Sequence, residues 1–292
     1  MTLYIVPTPI GNLGDMTLRA LEVLRGVDVI ACEDTRRTLK LLNHYGIKKP
    51  LVSLHRHNER ARSRELLARI ESGENIALVS DAGTPGISDP GAFLIAEAIM
   101  CNVTIEALPG ANALLPALLL SGLDTSAFLF AGFVDGSAKE KGGKLLALAD
   151  ARASLVFYVA PHDLEKQLAL IEAHLGNRPA ALARELTKIH EEVLRGTVSE
   201  LRAQAADRDL KGEMVLVVAG CENSNEASGN GGNEWQALAT EMLREEISGR
   251  AIANVLFARY GIHRNKVKKF ITQLRDAQNG TAEDQEVEAN ER

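Results

Sequence analysis

The sequence is poor in cysteine and in aromatic side chains, and it contains no long apolar run. Cys32, Cys101 and Cys221 are an odd number at wide spacings with no C-x-x-C pair, which argues against a disulfide framework or a zinc site. The longest apolar stretch, residues 113–120, falls far short of the roughly 20 residues that a membrane span needs. The N-terminus enters a strand-like run at 3–6 with nothing that resembles a secretory signal, so we expect a cytosolic protein.

The usual signatures of nucleotide-dependent and metal-dependent chemistry are also missing. Neither a G-x-x-x-x-G-K-[ST] loop nor a G-x-G-x-x-G turn is present, which argues against ATP hydrolysis and ordinary dinucleotide binding. There is no H-E-x-x-H, no G-x-S-x-G and no metal-ligand spacing, although His55 and His57 lie close together on a basic segment. The sequence therefore predicts no metal site.

Length and composition are those of an ordinary globular protein. The 292 residues predict two domains, or two with a small appendage, since domains usually run to about 100–200 residues. Hydrophobic residues make up 46% and charged residues 25%, which excludes collagen-like, fully disordered and disulfide-scaffold classes.

Strand-like apolar runs alternate with segments of helical period as far as residue 220, which is typical of layered α/β folds. The first part predicts strands near 3–8, 27–32, 51–54, 75–80 and 103–108, and helices near 17–25, 35–45, 58–72, 90–100 and 112–121. The second part predicts strands at 128–133, 154–159, 179–186 and 213–219, and helices near 139–149 and 163–175. Gly46 and Gly73 follow two of these helices, where a left-handed residue is expected.

This alternation and the composition that follows it predict the domain organisation. We expect an N-terminal α/β domain (1–122), a second α/β domain (123–220), a flexible polar linker (221–233), a basic helical appendage (234–275) and a disordered acidic tail (276–292). The appendage predicts helices near 234–247, 250–259 and 265–275, with a helix-turn-helix pattern around the turn at 260–265.

The net charge of −6 conceals two basic segments. The acidic tail alone carries six acids and one base, so the rest of the chain is nearly neutral. Residues 36–69 hold ten Lys/Arg against two acids, and residues 244–275 hold eight against two. Such clustering is the electrostatic pattern of nucleic-acid binding, although charge runs are often only solvated faces.

Three loops rich in glycine and proline each lie between a strand end and a helix start. They are the first loop (residues 7–15), the second loop (80–91) and the third loop (108–113). Ligands of open α/β sheets bind at the carboxyl ends of strands, and glycines allow the backbone to approach a ligand closely. The second loop has 12 residues, longer than the 2–6 typical of such connections, and unusually long loops are often functional.

These loops and several other segments carry a family resemblance. The matching segments are LYIVPTPIGNLGD (3–15), CEDTR (32–36), HNE (57–59), LVSDAGTP (78–85), ARELTK (183–188) and KGEMVLVV (211–218). Residues 3–220 resemble the tetrapyrrole methylase superfamily of S-adenosylmethionine-dependent enzymes. More narrowly, they resemble the ribosomal RNA small subunit methyltransferase I family, which methylates the ribose 2′-oxygen of a cytidine in the decoding region of 16S RNA.

The resemblance implies two α/β domains of the class III methyltransferase type, with S-adenosylmethionine bound in the cleft between them, usually in a homodimer. The residues that match the family's donor site are Pro9, Gly11, Asp81, Gly83, Thr84, Pro85, Gly110, Asn112, Ala113, Pro161 and Met214. Plain core packing is an alternative role for Met214.

Methyl transfer from a sulfonium needs no metal, so the protein must mainly hold the ribose oxygen about 3–3.5 Å from the methyl carbon. A carboxylate or imidazole that takes the hydroxyl proton could add about 10²–10⁴ in rate. The candidates are Glu33, Asp34, His57 and Glu185. Glu33 and Asp34 could equally cap the helix that follows them, and Glu185 could pair with a neighbouring cation.

For the 16S RNA or the 30S subunit as partner, we expect basic side chains to contact phosphates. They are Arg36, Arg37, Lys40, Arg56, Arg60, Arg62, Arg64, Arg264, Lys266, Lys268 and Lys269. Aromatic residues total only 4%, so shape and phosphate contacts should position the RNA more than base stacking does.

Two segments depart from the family pattern. After residue 133, relatives usually continue with Leu-Pro and a Lys/Arg pattern, and at 159–163 they tend to show Glu-Ser-Pro-His-Arg where this chain has Val-Ala-Pro-His-Asp. Three functions stay open: a 2′-O-methyltransferase of ribosomal RNA, a methyltransferase of a porphyrin-like macrocycle, and an RNA-binding assembly factor that does not catalyse.

Overall fold

The computed structural model describes residues 1–208, 210–221, 234–244, 247–249, 252–253, 255–256, 267–272 and 274. The chain divides into two compact units, Met1–Cys221 and Glu222–Arg292. The first unit is built on two five-stranded sheets.

The first sheet is parallel and has the strand order β3-β2-β4-β1-β5. Its strands are β1 (Thr2–Val6), β2 (Val29–Cys32), β3 (Leu51–Ser53), β4 (Ile76–Val79) and β5 (Thr104–Ala107). The helices between and after them are α1 (Leu18–Gly26), α2 (Thr35–His44), α3 (Glu59–Glu71), α4 (Ala92–Met100) and α5 (Leu114–Ser121). β2 and β4 are buried along their whole length, because helices cover both faces of a parallel sheet.

The second sheet is mixed and has the strand order β6-β7-β10-β8-β9. Its strands are β6 (Phe128–Phe133), β7 (Ser154–Val159), β8 (Pro179–Arg184), β9 (Glu192–Thr197) and β10 (Met214–Val218), and its helices are α6 (Ala138–Leu146), α7 (Leu164–Leu175) and α8 (Val198–Asp207). Only β6 and β7 pair in parallel; the other three pairings are antiparallel. These two sheets with their helices confirm the predicted α/β fold class.

α5 connects the two sheets through its packing. It follows the last strand of the first sheet, and its buried Ala117 and Leu118 share one apolar cluster with Val156, Val215 and Val217 of the second sheet. The opposite face of the second sheet packs against α6, α7 and α8 in a separate cluster. The edge of the first sheet that carries the three loops is therefore held against the second sheet by a continuous apolar contact.

Local sequence signals account for most element ends. Asp34 caps α2 by accepting a hydrogen bond from the backbone N–H of Arg36 at 2.8 Å. Gly46 and Gly73 have φ values of +65° and +112°, which confirms their predicted left-handed positions after α2 and α3. Strand β9 and helix α8 were not predicted from the sequence.

The second unit contains α9 (Glu234–Arg244) and a small core of its own. Trp235, Ala239, Leu256, Val267 and Ile271 are buried in this core, and the Trp235 ring meets the Phe270 ring edge to face at 5.0 Å. The predicted turn at 260–265, the acidic tail and residues 222–233 of the predicted linker lie outside the described residues. The domain boundary expected at residues 122–123 stays a prediction.

No helix in the described ranges is both long enough and apolar enough to cross a membrane. The same ranges contain no group of three or more His, Cys, Asp or Glu side chains placed to hold a metal ion.

Candidate functional site

The three loops meet in one cleft between the two sheets, with a volume of about 810 Å³. The first loop follows β1, the second follows β4 and the third follows β5, so all three leave neighbouring strands at the same edge of the parallel sheet. The second sheet supplies the opposite wall through the ends of β7 and β10. This is the edge at which open α/β sheets bind ligands.

Direct hydrogen bonds connect the loops. Thr8 and Gly83 exchange two backbone hydrogen bonds, at 2.9 and 2.8 Å, so the first and second loops form an isolated bridge. The Thr84 hydroxyl donates to the carbonyl of Ala111 at 3.2 Å, which connects the second loop to the third. These hydrogen bonds therefore join all three loops that line the cleft.

Glycine is required at two positions of these loops, for two different reasons. Gly83 has a φ of +82°, a left-handed conformation that L side chains rarely adopt. A Cβ at Gly110 would lie 2.7 Å from Cβ of Pro7, inside van der Waals contact. Backbone conformation therefore explains Gly83, and close packing against Pro7 explains Gly110.

The structure brings most of the expected donor residues to the cleft wall. Those that line the cleft are Asp81, Gly83, Thr84, Asn112, Ala113, Pro161 and Met214. Pro9 and Gly11 instead border an adjoining pocket of about 370 Å³, which shares Arg37 and Asp81 with the cleft. Pro85 and Gly110 border neither cavity, and Gly110 packs against Pro7 as described.

The three carboxylates expected near the chemistry lie in different environments. Glu33 lines the cleft, and burial, followed by the nearby charge of Asp81, raises its pKa. Asp34 caps α2 and pairs with Arg36 at 3.1 Å; its hydrogen bonds to Arg36 lower its pKa. Glu185 pairs with Lys188 at 2.9 Å, which lowers its pKa, and it accepts a hydrogen bond from the backbone N–H of Glu213. Among the three, only Glu33 lines the cleft.

Sequence reasoning did not identify Asp89 as a carboxyl group with a shifted pKa. Asp89, near the end of the second loop, lines the cleft, and burial together with the nearby charges of Glu33 and Asp81 raises its pKa to about 6. Its only sequence signal is its position in an unusually long loop. Tyr158 of β7 also lines the cleft, and burial followed by the charge of Asp89 raises its pKa.

The expected RNA-contacting side chains between residues 36 and 64 differ in their local contacts. Arg37 pairs with Asp81 at 3.3 Å beside the cleft, and Lys40 borders the adjoining pocket. Arg56 donates to the carbonyl of Ser88 at 2.9 Å, and the Arg60 guanidinium lies 5.7 Å from the centre of the Phe93 ring. The others on α2 and α3 are Arg36, which pairs with Asp34, Arg62, which pairs with Glu65, and the exposed Arg64.

The second unit contributes Lys268 and Lys269, which are both exposed next to the buried Val267. Arg264 and Lys266 lie outside the described residues. His57, considered above as a proton acceptor, lies beside His55 with ring centres 5.9 Å apart and does not line the cleft.

Solved structures share this architecture. Diphthine synthase matches with a TM-score of 0.59 and 18% identity, over 75% of this chain and 90% of that one. Uroporphyrin-III-C-methyltransferase from Thermus thermophilus matches with a TM-score of 0.52 and 22% identity, over 74% of this chain and 94% of that one. At these identities the likeness shows the fold alone.

Sequence comparison is more specific. A family model described as Tetrapyrrole (Corrin/Porphyrin) Methylases matches residues 2–202. The Bacillus subtilis (strain 168) protein named ribosomal RNA small subunit methyltransferase I is 44% identical over 91% of both chains. The Haemophilus influenzae protein of the same name is 41% identical over 92% of this chain and 95% of that one. The resemblance stated from the motifs is thereby confirmed, and the chain belongs to the ribosomal RNA small subunit methyltransferase I family of tetrapyrrole methylases.

Proposed function

We propose that the protein transfers the methyl group of S-adenosylmethionine to the ribose 2′-oxygen of a cytidine in the decoding region of 16S RNA. The observation that carries this proposal is the meeting of three backbone-lined loops of one sheet with the strand ends of another in a single cleft. Family membership adds the substrate class, because the relatives are named as methyltransferases of small-subunit ribosomal RNA. A substrate in the 30S subunit would place the reaction in the cytoplasm.

The cleft has the chemistry that this methyl donor requires. Ala113, Val159 and Met214 offer apolar surface for a nucleoside. Asp81 on one wall and Glu213 on the opposite wall add carboxylates, which favour a positively charged sulfonium. When bound, the donor supplies an electrophilic methyl group as a co-substrate. The remaining donor-site residues, including Pro9, Gly11, Pro85 and Gly110, would shape the backbone around it.

The protein's own residues would then bind and orient the RNA. Arg37 on α2 borders both the cleft and the adjoining pocket, and Lys40 borders the pocket, so a phosphate held in the pocket would lie close to a ribose in the cleft. The other basic residues of α2 and α3, with Lys268 and Lys269 of the second unit, would extend phosphate contact along the RNA. For Arg264 and Lys266 the proposal rests on the sequence alone.

A homodimer is part of the proposal. Leu119 and Leu120 of α5 are exposed outside the cleft, as is Leu129 of the edge strand β6. Exposed apolar patches of this kind often mark protein interfaces. Sedimentation of the purified chain tests this: a second copy covering the patch gives about twice the mass of one chain, and a monomer at micromolar concentration contradicts it.

The decisive experiment uses undermethylated 30S particles from cells that lack this protein. The purified chain is incubated with them and with methyl-labelled S-adenosylmethionine, and the labelled nucleotide is located by mass spectrometry. Label on the ribose of a single cytidine of 16S RNA supports the proposal. Label on a base, or on a macrocycle offered instead of the particles, contradicts it. Donor binding without transfer to any RNA would favour the non-catalytic assembly factor.

A further inference from the structure

Four carboxylates line the cleft, and they form two groups: two that have an ion-pair partner and two that have none among the described residues. Asp81 pairs with Arg37 at 3.3 Å, and Glu213 pairs with Lys188 at 3.0 Å. Within the described ranges, the side chains of Glu33 and Asp89 have neither an ion pair nor a hydrogen bond. Among the described residues, Asp81 and Glu213 therefore each have a cationic partner, and Glu33 and Asp89 do not.

The backbone on either side of Asp89 is hydrogen-bonded to residues at and just before the start of α3. Arg56 donates to the carbonyl of Ser88 at 2.9 Å, and the Glu59 carboxylate accepts a hydrogen bond from the backbone N–H of Gly91 at 2.7 Å. Ser88 itself has a φ of +67°, a strained conformation for a residue other than glycine. These contacts fix the backbone around Asp89 while its carboxylate stays available to the cleft.

The surroundings of Asp89 disfavour its ionised form. The carboxylates of Glu33, Asp81 and Glu213 and the phenol of Tyr158 face it from the ends of β2, β4, β10 and β7, and Arg56 faces it from the segment before α3. Burial and the three carboxylates raise its pKa to about 6, against the smaller opposing effect of Arg56. A proton acceptor with a pKa close to the working pH is largely in its ionised form and is still basic enough to take a proton.

We propose that Asp89 is the residue that takes the proton from the ribose 2′-hydroxyl during methyl transfer. This rests on the proposed function. As the new O–CH₃ bond forms, the O–H bond breaks and its proton moves to a carboxylate oxygen of Asp89. The S–CH₃ bond breaks with its electron pair remaining on sulfur, which becomes a neutral thioether. Water removes the proton from Asp89 after the product leaves.

The test compares the wild type with Asp89→Asn, which keeps the size of the side chain. The matched control is Asp150→Asn, which removes an exposed carboxylate outside the cleft. Turnover on undermethylated 30S particles at saturating donor is measured from about pH 5 to about pH 9, and we expect the wild-type rate to rise to a plateau above about pH 6. Asp89→Asn should lower the plateau rate by about 100-fold or more and remove the break, which is the change of slope near pH 6 in the pH profile. The Asp150→Asn control should keep the wild-type plateau rate and the break.

Three further measurements distinguish a failure of this proposal from a failure of the proposed function. Calorimetric titration with S-adenosylmethionine tests donor binding, and wild-type protein that binds no donor overturns the proposed function itself. Nuclear magnetic resonance of aspartate-labelled protein without donor should show a carboxyl titrating near pH 6 that is missing in Asp89→Asn. For Asp89→Ala, added formate should restore part of the turnover, because a small carboxylate can occupy the vacated space. Donor binding together with an Asp89→Asn rate within about threefold of wild type would overturn the assignment.

Discussion

The backbone N–H of Asn12 donates a hydrogen bond to the Thr187 hydroxyl at 3.1 Å, across 175 positions of sequence. This contact joins the first loop of the parallel sheet to the segment that follows β8 in the second sheet. Gly11 lies against the same segment: a Cβ there would lie 2.5 Å from Cγ of Lys188 and 2.8 Å from the Thr187 hydroxyl oxygen. The two sheets thus approach each other closely beside the adjoining pocket, at a position where a Cβ would clash.

Gly11→Ala should therefore force these segments apart. We expect a loss of about 1–3 kcal/mol in the free energy of unfolding, as for other overpacked contacts. We also expect about tenfold weaker donor binding, because the first loop lines the cleft through Ile10. Denaturant unfolding and calorimetric titration measure the two effects. Gly143→Ala in α6 is the control, since a Cβ there meets nothing within 4 Å and should stabilise the helix by about 0.5–1 kcal/mol. Unchanged donor binding in Gly11→Ala would show that the contact plays no part in shaping the cleft.

The capping role of Asp34 makes a separate prediction about stability. Its carboxylate accepts a hydrogen bond from the N–H of Arg36 in the first turn of α2, so Asp34→Ala should lower the free energy of unfolding. Asp34→Ser should recover most of this loss, because serine also caps helices well. Thermal unfolding of the three proteins tests the order. Equal losses for alanine and serine would mean that the carboxylate stabilises α2 through its charge rather than through the cap.

Sequence periodicity was sufficient for the parallel sheet but not for the end of the second sheet. Strands such as β2 and β4 are buried on both faces and therefore read as continuous apolar runs. β9 is an edge strand without a fully buried residue, and its sequence, EVLRGT, has no such run. α8 did carry a signal that was overlooked: Thr197 and Glu200 form a capping box at its start.

The sequence predicted the loops of the candidate site but not its electrostatics. Motifs in the loops identified residues whose backbone lines the cleft, because glycine and proline requirements are visible in sequence. The titration of Asp89 was not visible, because its pKa depends on burial and on carboxylates from positions as distant as Glu33 and Glu213. Likewise, ion pairs such as Arg37 with Asp81 become apparent only once separate strands are brought together.

Ionisation of Asp89 should lower the free energy of unfolding at neutral pH. Its pKa rises from 3.8 to about 6 on folding, so the ionised form is less favourable in the folded chain than in the unfolded one. This penalty is absent below about pH 4, grows as the pH rises through about 6, and is complete above that range. Asp89→Asn removes it and should gain about 1–2 kcal/mol at pH 7–8, a figure reduced for the partial exposure of the group, with no gain near pH 4. Denaturant unfolding at both pH values checks this, and a gain that is equal at both would have a cause other than ionisation.

Glu33 should tune Asp89 rather than replace it. Repulsion from Glu33 is the largest charge effect that raises the Asp89 pKa. Glu33→Gln should therefore shift the break in the pH profile of turnover to lower pH, while keeping a plateau within about tenfold of wild type. If Glu33→Gln abolishes turnover at every pH while Asp89→Asn does not, the roles of the two carboxylates are exchanged.

The adjoining pocket predicts where an RNA phosphate contributes most to binding. Lys40 borders this pocket, is exposed, and has no ion-pair partner in the part of the chain that the structure describes. Lys40→Gln should weaken RNA binding and reduce the slope of log affinity against log salt concentration by about 0.7–0.9, the contribution of one phosphate contact. Lys48→Gln is the matched control, because Lys48 is exposed just before β3, at the opposite end of the parallel sheet from the cleft. Filter binding of a 16S RNA fragment over a range of salt concentrations measures both slopes. If both variants lower the slope equally, the phosphate contacts are distributed over the basic surface and do not centre on the pocket.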